Sequence, residues 1–307
     1  MDITTYDTSN GKRHGNLAGA WLASITSPNT QRAYRRDLTG YFSFLDSGDI
    51  DALSAERRHV DLYARTLEGA PSTVARRLSA VASFYGYAVG EGAVSASPVA
   101  HVRRPKIDAD HSATRGLSKD EAHAFLKAAR TDSPRAHALA TLLLYTGIRI
   151  SEALGANLSD LQHDTGHRAL VVTRKGGKQA KVALPPQVIE ALAEYLGAAT
   201  AHGTALQSTN GHSDDAPLFT TATGARWASS EAFRTVARIA RLAGIEGKVS
   251  PHSMRHTHAT LALDAGASLH DLQDSMGHAD PRTTRRYDRA RGRLEKSSAY
   301  TVASALG

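Results

Sequence analysis

The sequence predicts a mainly α-helical protein with one small β-hairpin, divided into two domains. Three observations carry this prediction. Apolar residues recur at helical spacing within the first hundred residues and again beyond residue 117. A charged stretch containing Pro and Gly but few apolar residues, 101–116, lies between those two regions and reads as a linker. A Val-rich segment, 170–184, turns on Gly176-Gly177 and reads as a two-stranded hairpin. A chain of 307 residues is long for one domain and comfortable for two. The expected division is a flexible lead over 1–15, a helical domain over 16–100, the linker over 101–116, and a second domain over 117–307 with a tail from about 288.

In the first domain, Tyr34, Leu38, Tyr41, Phe42 and Leu45 form one helical stripe, with Arg32, Arg35 and Arg36 on the opposite side. A second helix is expected over 55–67. A third begins at Ser72, after Pro71, and carries Val74, Leu78, Val81 and Tyr85 as its apolar stripe, with Arg76 outside it and Arg77 at its margin. Gly90, Gly92 and Pro98 close the unit. A solvated helix face accounts for these arginines as readily as a binding surface does.

The second domain opens at Ser118, where Glu121 three residues on completes a capping box. The apolar run from Leu139 to Tyr145 predicts a buried helix that ends at Gly147, so that Arg149 stands at the start of a short helix, where free N–H groups attract anions. The hairpin turn is flanked by Lys175, Lys178 and Lys181. A phosphate-loop reading of RKGGK fails, because the required Gly spacing and a following helix are missing. Helices are expected over 186–199 and 229–243, with a long polar loop, 202–216, between them.

Cysteine is absent, so disulfide and thiolate chemistry are excluded, and no apolar run approaches the ~20 residues of a membrane helix. The polar amino terminus lacks a signal-peptide core. A soluble cytoplasmic protein is expected, and a net charge of +7 favours a polyanionic partner.

The chemistry is concentrated in SPHSMRHTHATLALDAGASLHDLQDSMGHADPRTTRRY, 250–287. Ser250-Pro251 starts a helix that places His252 and Arg255 on one face and stops near Gly266; a second helix runs from Ser268 to Gly277, and His278 follows it. Asp280-Pro281 starts a third helix, which carries Tyr287. Arginine clamps the non-bridging oxygens of a phosphodiester, and histidine donates to them or moves a proton. A phenol, with a pKa near ~10, suits a nucleophile whose covalent product is meant to last. Together these groups point to attack on phosphorus, although each alone reads equally as a capping histidine, an ion-pair arginine or a core tyrosine. Between Arg282 and Lys296 seven basic residues face only Asp288 and Glu295, a neighbourhood that favours the phenolate. A metal reading of His252, His256 and His258 is set aside: the HExxH glutamate is missing and Arg255 repels a cation.

His-x-x-Arg at 252–255, Met-Gly-His at 276–278 and a tyrosine nine residues later resemble the catalytic block of the tyrosine recombinases, the phage integrase family. TGIRISE, 146–152, is similar to the family segment holding the other catalytic arginine, and VVTRKGGKQAKVALP, 171–185, to its lysine-bearing hairpin. The resemblance implies catalytic roles for Arg149, Lys175, His252, Arg255, His278 and Tyr287, with Glu152 supporting Arg149. It implies a SAM-like core-binding domain followed by a recombinase catalytic domain, with Arg35, Arg36, Arg76, Arg77, Arg103, Arg104 and Lys178 as candidate contacts to DNA. It further implies a 3′-phosphotyrosyl intermediate, no metal or nucleotide cofactor, double-stranded DNA with paired inverted half-sites as partner, and a homo- or hetero-tetramer assembled on it in a bacterial or phage-derived, nucleoid-associated setting. In the family such an apolar tail docks on a neighbouring subunit, and Tyr300–Leu306 is expected to dock either there or on its own subunit, which would bury it equally well. An integrase, an excisionase or a dimer-resolving recombinase all fit; an additional arm-binding domain would need more residues ahead of Thr30. The alternatives are a type IB topoisomerase and a catalytically inactive DNA-binding regulator of the same fold. His258 and the arginine-rich stretch after Tyr287 depart from the family pattern.

Overall fold

The computed structural model describes residues 13–105, 115–197 and 215–277. The chain divides into two units, 1–108 and 109–307.

The first unit is helical throughout its described part: α1 (Arg13–Ser24), α2 (Pro28–Ser47), α3 (Arg57–Thr66) and α4 (Pro71–Gly90). The stripe of α2 is buried through Leu38, Tyr41, Phe42 and Leu45, and that of α4 through Val74, Leu78, Val81 and Tyr85. α4 starts at Pro71, with Pro in the first turn where its missing N–H costs nothing. Helix α1 has no counterpart in the sequence reading and begins inside the stretch read as a lead. Leu17, Ala18, Trp21, Leu22 and Ile25 recur at helical spacing, a stripe the sequence reading passed over; Ala18, Trp21 and Leu22 enter the core, and the Trp21 indole donates to Ser83 at 3.2 Å. Two core phenols are satisfied in series: Tyr41 and Tyr85 meet at 3.1 Å, and Tyr85 donates to the carbonyl of Ala52 at 2.7 Å. Burial pushes the Tyr41 hydroxyl up to about 12.

The second unit starts at α5 (Lys119–Asp132), where Ser118 Oγ accepts from the Glu121 N–H at 3.1 Å and Glu121 accepts from the Ser118 N–H at 2.8 Å. α6 (Pro134–Thr146) is buried along most of its length and ends at Gly147 in the left-handed region. The short α7 (Ile150–Gly155) follows. Three strands, β1 (Leu161–Asp164), β2 (His167–Thr173) and β3 (Gln179–Ala183), form an antiparallel sheet in the order β1-β2-β3. The hairpin expected over 170–184 is its β2–β3 half, with Leu170 opposite Val182 and Thr173 opposite Gln179. The third strand, LQHD, offers no alternation to announce it; it folds back onto β2 through the two-residue turn Thr165-Gly166, both at positive φ, with Asp164 opposite His167 and Leu161 opposite Leu170.

Helix α8 (Pro186–Leu196) stops at Gly197, short of the expected 199, and α9 (Ser229–Leu242) matches its expected span within a residue. α10 (Pro251–Asp264) and α11 (Leu269–Met276) carry the first two helices of the 250–287 segment. At the start of α10 it is Ser253 Oγ that accepts from the Ser250 N–H, at 3.2 Å. The core joins Leu139, Leu142 and Leu143 of α6 with Phe125, Leu170, Leu192, Phe219 and Trp227, while Ala259, Leu263, Leu272 and Met276 bind α10 to α11. Among the described residues no helix is long and apolar enough to cross a membrane.

Candidate active site

The site is built from the carboxyl end of α6 outward. Thr146 donates to the Leu142 carbonyl at 2.5 Å, Gly147 reverses the chain at φ 63°, and Ile148 is buried, which leaves Arg149 as the residue before α7. Glu152, one turn into α7, holds Arg149 twice: one carboxylate oxygen accepts the Arg149 backbone N–H at 2.9 Å and the other accepts the guanidinium at 2.7 Å. Glu152 is buried, whereas the Arg149 side chain is 35% exposed. A guanidinium fixed by a buried carboxylate through one nitrogen, with a third of the side chain still open, is held in one orientation while its remaining donors stay available to a ligand.

Arg255 reaches the same place from α10. It is 4% exposed, and its guanidinium donates to the carbonyl of Gly147 and, at 2.7 Å, to the carbonyl of Met276. One buried cation therefore joins the end of α6, the last turn of α11 and its own helix. His252, one turn earlier on α10, keeps part of its surface exposed, yet its pKa lies below the ordinary imidazole value: partial burial of the ring lowers it most, then the charges of Arg255 and Arg149. Neutral imidazole beside two guanidinium groups can accept a proton or donate a hydrogen bond.

Lys175 lies in the β2–β3 turn and is exposed, as is Lys178. Its neighbour Arg174 crosses to α11, donating to the carbonyls of Asp274 at 3.4 Å and Ser275 at 2.8 Å. The structure thus brings Arg149, Glu152, His252 and Arg255 to one locus, and ties the Lys175 turn to the helix end that Arg255 also holds. His278 and Tyr287, like the tail Tyr300–Leu306, lie outside the described residues.

His258, a departure from the family pattern, closes over Gly147. Its Nδ1 lies 3.1 Å from the Leu144 carbonyl, and a Cβ at Gly147 would come within 2.5 Å of its ring. Burial lowers its pKa, and that of His256 on the next face of α10. Neither Arg174 nor the packing of His258 on Gly147 is visible in the sequence; a second cation directly before Lys175 is the one hint the letters hold.

Among the candidate DNA contacts of the first unit, Arg76 forms an ion pair with the buried carboxylate of Asp37. Arg36 and Arg103 are exposed; Arg104 donates to Ser79 Oγ at 3.3 Å; Arg35 and Arg77 are half-buried.

The family model described as "Phage integrase family" matches residues 115–292, and that described as "Phage integrase, N-terminal SAM-like domain" matches 19–92. The tyrosine recombinase XerC of Rhodospirillum centenum is 37% identical over 286 residues, covering 88% of this chain and 80% of its own. The tyrosine recombinase XerD of Mycobacterium leprae is 33% identical, covering 84% of this chain and 86% of its own. In fold, the chain is similar to the XerH site-specific recombinase in a post-cleavage complex with palindromic difH substrate, with a TM-score of 0.72 at 18% identity over 98% of this chain and 92% of that one. It is also similar to a lambda integrase dimer bound to a COC′ core site, with a TM-score of 0.70 at 19% identity over 92% and 78%.

Proposed function

The chain belongs to the phage integrase family and is a tyrosine recombinase, an enzyme that breaks and rejoins DNA strands at specific sites, and we propose that Tyr287 carries the broken strand as a 3′-phosphotyrosyl ester. The observation that supports this reading most is the meeting of Arg149 and Arg255 around Gly147 with a neutral His252 beside both.

The phenolic oxygen of Tyr287 bonds to phosphorus as the bond to the 5′ oxygen breaks. The phenol proton passes to His252, and the ammonium of Lys175 protonates the departing 5′ oxygen. Arg149 and Arg255 hold the charge that builds on the non-bridging oxygens, and His278 donates to the same oxygens. A free 5′ hydroxyl from a second strand reverses these steps and seals the exchanged strand. The bond energy stays in the ester, so no nucleotide is consumed.

The first unit serves as the core-binding domain, residues 16–100, and residues 117–307 as the catalytic domain, joined by the 101–116 linker. Arg35, Arg36, Arg77, Arg103, Arg104 and Lys178 contact phosphate, and Arg76 does so while paired with Asp37. The partner is duplex DNA with paired inverted half-sites, on which four subunits assemble. The identity to XerC and XerD recombinases over most of the chain favours a dimer-resolving enzyme of that type. The test is a nicked suicide substrate: the parent protein should form a denaturant-stable covalent adduct, and Tyr287→Phe should bind the DNA without forming one. An adduct with Tyr287→Phe assigns the nucleophile elsewhere; relaxation of supercoils without a defined site points to a topoisomerase.

A further inference from the structure

We propose that Arg174 is a positioning residue for cleavage: by clamping the β2–β3 turn to the carboxyl end of α11, it fixes where Lys175 delivers its proton. The inference rests on the reading of Lys175 as the acid for the 5′ oxygen.

The turn needs such an anchor. Between Thr173 and Gln179 the chain reverses over five residues, with Gly176 and Gly177 at φ 85° and 76°. No atom would lie within 4 Å of a Cβ at either glycine, so the tip of the turn stands clear of its surroundings among the described residues. Inside the turn, the Arg174 N–H donates to the Lys178 carbonyl at 2.8 Å and the Gly177 N–H donates to the Arg174 carbonyl at 3.1 Å. These bonds set the shape of the turn but not its direction. An exposed lysine on a free tip samples many positions, and a general acid displaced by about 1 Å loses on the order of 10²-fold in rate.

Arg174 supplies the direction. Its two terminal nitrogens reach carbonyls 100 and 101 residues away, at Asp274 and Ser275, and the next carbonyl, of Met276, belongs to Arg255. Two guanidinium groups thus share the last-turn carbonyls of α11, the negative end of that helix. Gly277 makes the approach possible. It caps α11 at φ 63°, and any Cβ there would run into the Arg174 guanidinium. The glycine of Met-Gly-His is therefore required twice, once for its backbone conformation and once for the space that Arg174 fills. A lysine at 174 would keep the charge but lack the planar fork that spans two carbonyls. Because Arg255 holds Met276, the anchor refers the turn to the arginine that clamps the phosphate.

In the cleavage step, the Tyr287 oxygen replaces the 5′ oxygen on phosphorus, His252 takes the phenol proton, and Lys175 gives one to the 5′ oxygen. A positioning defect at Arg174 should then be felt only where that last proton is needed. Single-turnover cleavage by the full chain on a nicked duplex tests this with two leaving groups, the natural 5′ oxygen and a 5′-bridging sulfur, which departs as a thiolate without a proton. Arg174→Ala should cleave the oxygen substrate about 10–100-fold more slowly than the parent and the sulfur substrate within a few-fold of it, with Arg174→Lys between the two on the oxygen substrate. Lys175→Ala should show the same rescue with a larger defect. Equal slowing of Arg174→Ala on both substrates, with Lys175→Ala rescued, makes Arg174 merely structural and overturns the proposal, as does an unimpaired Arg174→Ala. If sulfur fails to rescue Lys175→Ala, the assignment of the acid is wrong and the positioning role falls with it. Should Arg174→Ala not fold, Arg174→Lys carries the same comparison.

Discussion

Arg255 donates to the carbonyl oxygen of Gly147, two residues before Arg149, although it stands 108 positions away in the chain. The two arginines therefore do not approach as independent side chains. One holds the backbone turn from which the other projects, and the remaining donor of Arg255 holds the end of α11 at Met276. Burial differs between them: Arg255 is almost wholly enclosed, while a third of the Arg149 side chain remains open.

That difference predicts unequal substitutions. Arg255→Ala leaves two buried carbonyls unsatisfied and should lower stability by about 2–4 kcal/mol as well as abolishing cleavage. Arg149→Lys, which keeps a cation beside the buried Glu152 carboxylate but lacks the planar fork, should melt within a few degrees of the parent and lose about 10²–10³-fold in single-turnover cleavage, as expected when a stabilising donor is removed. Thermal unfolding of the full chain beside adduct formation reads both. Equal loss of stability in the two variants would contradict this division.

Glu152 acts on Arg149 through two bonds. Glu152→Gln keeps the size and one acceptor but removes the charge that fixes the guanidinium, so cleavage should fall about 10–100-fold with little change in affinity for DNA. A drop confined to DNA binding would mean that Glu152 does not orient Arg149 for the chemical step.

Gly147 is squeezed between its own left-handed conformation and the ring of His258. Gly147→Ala should cost about 1–2 kcal/mol for the backbone alone and more from the collision. Adding His258→Ala removes the collision but not the backbone strain. The double variant should therefore be less destabilised than the sum of the two single changes by on the order of 1 kcal/mol, and strict additivity in urea unfolding would rule the collision out.

Four histidines of the second unit, His137, His252, His256 and His258, have pKa values below the ordinary 6.5, in each case chiefly through burial. The unfolded chain then binds more protons than the folded one as pH falls through about 6.5. Stability should be full above that value, decline as pH drops through it, and level off once the folded histidines are protonated as well. Melting curves between pH 7.5 and 5.0 check the sign, and His258→Gln should flatten the decline. Stability rising toward acid over this window would refute the assignment. Adduct formation should fall over the same window if neutral His252 takes the phenol proton.

In the first unit, Arg76 neutralises an Asp37 carboxylate that is 2% exposed. Arg76→Ala strands that charge and should destabilise the protein by about 2–3 kcal/mol, below the usual 3–5 for a fully buried pair because the arginine is partly solvated. Arg36→Ala, from an exposed position, should leave melting unchanged and weaken DNA binding with a shallower salt dependence. A variant pair with matched melting temperatures would show Asp37 to be satisfied by other means.

The letters alone determined the fold class and the family. Helical stripes such as Leu38-Tyr41-Phe42-Leu45 are enforced by burial at a period of 3.6, and caps such as Ser118–Glu121 are satisfied within four residues, so both leave a local trace. The same holds for His252 and Arg255, one turn apart, and for Arg149 beside Glu152. The tertiary structure decided what no local rule encodes: that His258 fills the space over Gly147, and that Arg174 ends on α11. Each is a contact whose partner lies elsewhere in the fold, up to 114 residues away in the case of His258 and Leu144. Such partners carry no periodicity, because they are chosen by which surfaces the packed helices leave open.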